Sequence, residues 1–545
     1  MVANTQTYEV VNFGNGLNYR DDEILLEIGE TPDAQNYEIV RKSGLQKRTG
    51  WANAFESDLE NVDIAYAEGY TNDLEDYNYV AISYPDIWLI DPRSGSSNRI
   101  GPNNLVNSGD PIGVEHQGGF FLVDGENAPR YIQNETVTTV SWPPVYTNDN
   151  NAEGNVDDST YTVEGNPTAS DIDFPDLVAS YANRVFVAGD KRNPRRLYAS
   201  KIGDATDFSS NNPLEFDIAF FVDVPTQRPI TALKVISNRF LVVYCDTEIV
   251  LLSGEFPPGT AYPQPHFSFR TLNTEIGCIG KRLVAAKGDN DHYFVSNRGR
   301  VFQLSLSDNF QDVKPFGLTD RIFPLLAQYD NELFKRGNLV NDFQRGELHF
   351  FLPDNKLCRY PNQDLVLNYG DKPAADVWSR DRQFNAVTIR NTLIDRETND
   401  LILVTPKNFV KTDIGTSYVG QPINTIYQVR TLDLQAPDNY KTITYITIYA
   451  RSKSGAKLRL LHVWESGKSG VTEIDIPPNP DSFFGEASFG INDFQSSAGL
   501  PFQAIKKEIL NPTGRLIKMK IQHESDTQDF TINRILIGYK LQGKE

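Results

Sequence analysis

The side chains able to do chemistry are present but scattered. Six histidines, His116, His266, His292, His349, His462 and His523, stand far apart in the sequence. No His-x-x-x-His pair occurs, so a zinc hydrolase lacks its ligand set. The three cysteines, Cys245, Cys278 and Cys358, are odd in number and widely separated. They give neither a disulfide framework nor zinc spacing, and read as small buried apolar side chains in a reducing compartment. A Gly-x-Ser-x-Gly elbow and a phosphate-cradling Gly-rich loop ending in Lys-Ser or Lys-Thr are both absent. Carboxylates are abundant, so counting alone leaves room for a glycosidase pair.

Three polar stretches need weighing. Asp149 to Gly154 has the acidic spacing of the first half of a helix–loop–helix calcium site, but Thr160 stands where the bidentate Glu belongs. An exposed acidic loop is the better reading. Gly288 to Asp291 fits a hairpin turn first and a calcium-binding turn second. Lys191 to Arg196 is the densest basic run, and hairpin tips are commonly polar. Its functional alternative is a salt-bridged subunit contact or a phosphate contact. No catalytic, metal-ligating or cofactor-binding residue is assigned. The chain is expected to be non-enzymatic and to need no cofactor.

The elements that would hold these residues are strands. Tyr and Phe number 25 and 31 against two Met in 545 residues, a bias toward sheet. Seven segments repeat one pattern of apolar strand, polar turn and apolar strand. They centre on Tyr79, Gly119, Arg184, Arg239, His292, Leu348 and Leu401. Their spacing of roughly 50 residues suits four-stranded propeller blades, which bury their faces against one another. The Ser-x-Asp-x-Gly-x-x-Trp hairpin usual in sialidase-like propellers does not occur. Ile87 to Ile90, Glu248 to Leu252 and Gly299 to Leu304 read as second hairpin arms. Beyond about residue 420 the pattern changes to period-two alternation at 426–430, 442–450, 458–464, 515–521 and 532–539, typical of half-buried antiparallel strands.

The expected fold is therefore all-β, a β-propeller of about seven blades followed by a C-terminal β-sandwich. Residues 1–50 are expected to form an N-terminal extended or clasp segment, whose strand closes the ring with the last blade or reaches a neighbour. Residues 51–420 form the propeller, with an acidic loop insertion at 146–176, and residues 421–545 the sandwich. Pro477 to Pro501 reads as a long loop. Two short helical turns are expected at Glu30 to Asn36, where Thr31 precedes Pro32, and at Ile505 to Glu508.

The formal charge of −20 argues against a bulk field that grips nucleic acid. It suits solubility, or a surface that must not stick to a passing polyanion. The first ten residues carry no basic end or apolar signal core, and no apolar run approaches the roughly 18 residues that span a bilayer.

Several stretches together resemble the tail hub, nozzle or packaged-DNA-stabilisation proteins of short-tailed bacteriophages. Asn12 to Arg20, Asp33 to Asn36 and Gly44 to Gly50 are similar to that family's opening, with Thr49 where the family usually has Pro. Asn183 to Gly189, Pro194 to Ser200 and Gly203 to Phe208 match more closely. Pro229 to Leu233 with Glu248 to Leu251, Gly277 to Ile279 with Phe294 to Gly299, and Val377 to Arg380 follow in the same order. The pieces span most of residues 10 to 410. The resemblance applies equally to hub, nozzle and stopper subunits. It implies a structural virion protein, commonly a homohexameric ring below the portal and adaptor, assembled in the host cytoplasm. Such rings dock other tail proteins, extend the DNA channel, retain packaged DNA and let it eject, with genomic DNA passing through the lumen without sequence-specific binding. Two other readings stay open at this point: a secreted propeller enzyme acting on polysaccharide, and a carbohydrate-binding receptor-binding tail protein.

Overall fold

The computed structural model describes residues 5–40, 44–55, 63–101, 104–106, 109–144, 146–147, 160–161, 173–209, 219–254, 267–305, 316–353, 363–368, 377–382, 388–478, 502–509 and 513–542. The chain is all-β with a β-propeller arrangement. Six sheets follow one another, each of four antiparallel strands in chain order. Their first strands are Tyr66–Thr71, Ile112–His116, Leu177–Tyr181, Ile230–Ile236, Val284–Lys287 and Asn338–Asp342. A further ladder, Asn391–Ile394, Leu401–Val404 and Phe409–Thr412, takes its fourth strand from Trp51–Asn53. The six first strands and Asn391–Ile394 touch in cyclic order around a common axis.

All seven apolar segments expected from the sequence lie on second strands of these ladders. Gly119–Val123, Arg184–Ala188 and Glu347–Leu352 are buried along their whole length. A strand with a neighbouring sheet on each face has no solvent side, so its pattern is continuous rather than alternating. Separate apolar layers fill the gaps between neighbouring sheets. The hairpin before Arg184 turns on Ala182 and Asn183, both with positive φ, as a two-residue turn matched to strand twist requires.

The long strands after residue 420 alternate as expected. Ala456–Trp464 buries every second side chain. These strands fall into two sheets. Lys441–Arg451 and Thr531–Leu541 anchor one. Gln421–Leu432, Ile517–Ser525, Ala456–Trp464 and Ser469–Ile476 form the other. Their apolar faces share one core cluster with the fourth to sixth blades.

Both expected helical turns are strands. Glu30–Thr31 pairs with Gly16–Leu17, and Asp33–Gln35 pairs with Ile426–Gln428. The Thr31 hydroxyl, rather than capping a helix, donates to the Gln428 carbonyl at 2.6 Å. Gln503–Glu508 pairs with Tyr445–Ala450, and its burial alternates in period two. In both cases long-range pairing overrides local signals. Among the described residues, two one-turn α-helices occur at Phe323–Leu326 and Asn331–Lys335, the second capped by the Asp330 carboxylate on the Leu333 amide.

Within its described residues, the 1–50 segment pairs with the C-terminal strands. Gln6–Val10 pairs with Tyr539–Ile535, and Gly44–Lys47 touches Thr531 and Ile532. The strand that joins the last propeller ladder starts at Trp51, just past that segment. Of the 146–176 insertion, Tyr146–Thr147 pairs with Thr160–Tyr161. The acidic stretch Asp149 to Gly154 and most of the Pro477 to Pro501 loop lie outside the described residues.

Candidate functional site: the propeller axis and a buried charge cluster

The first strands converge on a cavity of about 370 Å³ at the axis. The residues just ahead of these strands close one end of it. Arg282 reaches Asp110 at 2.6 Å and donates to the carbonyls of Pro111 at 2.7 Å and Arg390 at 3.3 Å. Lys281 lies 3.3 Å from Asp110 and 4.0 Å from Asp176. These contacts join the fifth blade to the second, the third and the last ladder, so two cations cross the axis. Arg282 and Lys281 hold the Asp110 carboxyl below the usual range.

Farther along the axis, Tyr66 accepts a hydrogen bond from the Gly113 amide at 3.0 Å and donates to Glu68 at 3.3 Å. Burial raises the Glu68 carboxyl, with Lys234 and Arg396 opposing. Toward the trailing ends of the strands, Arg396 pairs with Glu115, while Lys234 and Phe343 are exposed. The cavity is on the small-molecule scale. A nucleic-acid duplex, whose major groove alone is about 12 Å wide, does not fit through it.

The second notable cluster is fully enclosed, where the N-terminal segment meets the sixth blade. Arg48 grips Glu347 through two bonds of 3.2 and 2.8 Å and reaches Asp381 at 2.9 Å. His349 Nδ1 lies 2.6 Å from Asp364. Asp364 and Asp381 stand directly opposite each other on adjacent strands, a placement that is unfavourable unless cations intervene. Arg48 and His349 supply them. Burial opposes a charged His349, but Asp364 and Glu347 push its pKa up to about 10. Burial, with Asp364 and Glu347 near, raises Asp381 to about 7 despite Arg48. Arg345 extends the network to Asp413 at 2.9 Å, and Thr49 donates to the same carboxylate. Lys47 donates to the carbonyls of Thr416, Ser525 and Gln528 at 3.0, 2.7 and 2.7 Å.

These shifts carry a sign. Folded His349 holds its proton more tightly than the unfolded chain between the ordinary 6.5 and about 10. Its stabilisation is complete below 6.5 and is lost as pH rises through 10. Folded Asp381 likewise keeps its proton between 3.8 and about 7, so its ionisation costs stability as pH rises there. The melting advantage of the native chain over a His349→Phe variant should therefore shrink steadily as pH rises from 6.5 to 10. Differential scanning fluorimetry of both chains across that range checks this, and a constant difference would refute it.

The residues singled out from sequence are dispersed. His116 contacts Ser180 at 2.8 Å, and His292 sits between Tyr244 and the Val235 carbonyl, so each ties neighbouring blades. Burial lowers both imidazoles. His462 and His523 lie on the C-terminal strands, while His266 and Cys358 fall outside the described residues. Cys245 and Cys278 are free and buried, and burial pushes their thiols up to about 11 and about 12. Gly288 to Asp291 forms the expected hairpin turn. Among the described residues no group of three or more His, Cys, Asp or Glu side chains could hold a metal ion.

The basic tip is paired within the chain. Lys191 faces Glu126 at 3.6 Å, Arg192 faces Asp173 at 3.5 Å, and Arg196 binds Asp223 at 2.9 Å. Arg195 donates to the Thr226 carbonyl at 3.1 Å. The Arg196 pair lies within the third blade, while Lys191 and Arg195 reach the loop of the second blade and the segment leading to the fourth.

No known family profile matches the chain, and no curated protein does either. Among solved structures, it is similar to the WD40 domain of Neurospora crassa Pan2. That match has 8% identity and a TM-score of 0.36 and covers 68% of this chain and 95% of that one. U3-55K matches at 7% identity and a TM-score of 0.40, covering 67% and 98%. PorZ, a surface component of the type-IX secretion system of Porphyromonas gingivalis, matches at 12% and 0.34. There, 66% of this chain aligns with 37% of that chain. Among the described residues no helix is long and apolar enough to cross a membrane.

Proposed function

We propose that this chain is a non-enzymatic structural subunit of a short-tailed phage tail, in the hub or nozzle ring. The observation that carries the reading is the ordered set of resembling segments, three of which fall where the fold makes a specific demand. Lys47, Arg48 and Gly50 tie the propeller to the C-terminal sheets. A side chain on Gly277 would meet the Cys245 carbonyl at 2.0 Å. Trp378 is fully buried and donates to the Leu318 carbonyl at 2.7 Å. In this reading the ladder completed by Trp51–Asn53 is the seventh blade, and the two C-terminal sheets are a β-sandwich.

The propeller axis is crossed by Lys281 and Arg282, so the DNA channel of this proposal runs between subunits, along the lumen of a homohexameric ring. A chain of net charge −20 presents such a lumen with few counter-charges, and DNA slides past without gripping. The ring sits in the virion tail below the portal and adaptor, contacts other tail proteins, and is assembled in the host cytoplasm. Electron microscopy of the purified chain mixed with its portal–adaptor assembly should show a ring coaxial with the portal. Mass photometry showing monomers alone, with the adaptor ring present, would overturn the proposal.

A further inference from the structure

The axial cavity has the makings of a ligand site independent of any ring. It is closed at one end by the Lys281 and Arg282 ion pairs and reaches toward the trailing ends of the first strands. Four cationic side chains line it, Lys234, Lys281, Arg282 and Arg396, against two carboxyl groups, Glu68 and Glu115. Counting Asp110 and Asp176, which pair with Lys281 and Arg282 behind the wall, the charges balance. Three of the cations are already engaged, by Asp110, Asp176 and Glu115. Lys234 makes no hydrogen bond or ion pair among the described residues, and its exposed stem stands in the cavity wall.

A second observation points to a ligand. Asn338 also lines the cavity and is only 2% exposed, yet its Nδ2 donor has no partner. Buried polar groups are ordinarily bonded, and leaving one without a partner is costly. Close by, the Glu68 carboxylate, which already takes the Tyr66 proton, keeps acceptor capacity of the kind that binds alcohols.

We propose that the cavity binds a small hydroxyl-bearing anion, a sugar acid or sugar phosphate. Its oxyanion sits at Lys234 and Arg396, and its hydroxyls face Glu68 and Asn338. The volume of about 370 Å³ suits one such molecule. Lysine serves as a point charge for the anion, while the polar wall fixes the remainder.

Isothermal titration of the full chain with glucuronate and with glucose 6-phosphate tests this, and the two arms distinguish carboxylate from phosphate. At least one should bind at about millimolar concentrations or below, and uncharged glucose should bind at least about ten-fold more weakly. Lys234→Gln, a change at an exposed side chain, should weaken the anion at least about ten-fold, while Lys453→Gln on the C-terminal sheets leaves it unchanged. Absence of binding by both anions, or equal affinity in Lys234→Gln, overturns the proposal. So does equal affinity for glucose. A fluorimetric melt confirms that each variant folds, so a lost signal reports the site.

Discussion

Arg48→Ala is expected to destabilise the protein by about 3–5 kcal/mol, the cost of removing one partner from a buried ion pair. The side chain is 4% exposed and holds Glu347 and Asp381, which are equally enclosed. Deleting it leaves three buried carboxyl groups, those of Glu347, Asp364 and Asp381, with His349 as the nearest remaining cation. Arg48→Lys keeps the charge but lacks the planar fork that reaches both carboxylates, and should recover only part of the loss. Exposed pairs such as Arg93 with Glu397 supply the contrast. Replacing Arg93 should leave the stability nearly unchanged, because water screens an exposed pair. Guanidinium denaturation of the three variants measures the series. An Arg48→Ala loss no larger than that of the Arg93 variant would show that the cluster holds nothing together.

Much of this architecture is legible in the sequence, for a definite reason. Second strands such as Gly119–Val123 are apolar throughout because they are covered on both faces, and each is followed by turn residues. That signal is local and repeats. The C-terminal strands announce themselves as plainly, since alternation at Ala456–Trp464 follows from one wet face. What the sequence conceals is pairing between distant segments. Nothing near Glu30 to Gln35 says that its partners are Gly16–Leu17 and Ile426–Gln428, so a Thr-Pro-Asp signature there suggests a helix start. The buried charge cluster is hidden in the same way. Glu347 and His349 alternate on one strand, a visible hint of a shared face, but Arg48 comes from the far end of the chain. The axial cations were equally silent. Lys281 and Arg282 matter because the strand starts of four ladders come within their reach, and spacing along the chain does not reveal that.

Completion of the ladder at Phe409–Thr412 yields the other large expected effect. Trp51 is 4% exposed, packs at 4.9 Å from Tyr418, and lies on the strand that completes the last ladder. That strand bonds to Phe409–Thr412 on one side and meets Tyr418 on the other. It also follows Gly50, where a Cβ would sit 2.1 Å from the Ser417 carbonyl, so the approach is set by the backbone. Trp51→Ala removes a large side chain from a core shared by Phe351, Leu403 and Val410, and should cost about 3–5 kcal/mol. Trp51→Phe retains most of the contact area and should cost clearly less. Asn53, exposed at the end of the same strand, should tolerate Ala within about 0.5 kcal/mol. Losing the strand entirely is worse than losing the side chain, because Phe409–Thr412 becomes an open sheet edge. A chain beginning after Asn53, which also loses Arg48 and the N-terminal strands, should therefore aggregate on purification, as size-exclusion chromatography would show. If that truncated chain stayed monomeric with an unchanged melting temperature, closure by Trp51–Asn53 would be incidental and the ladder stable with three strands.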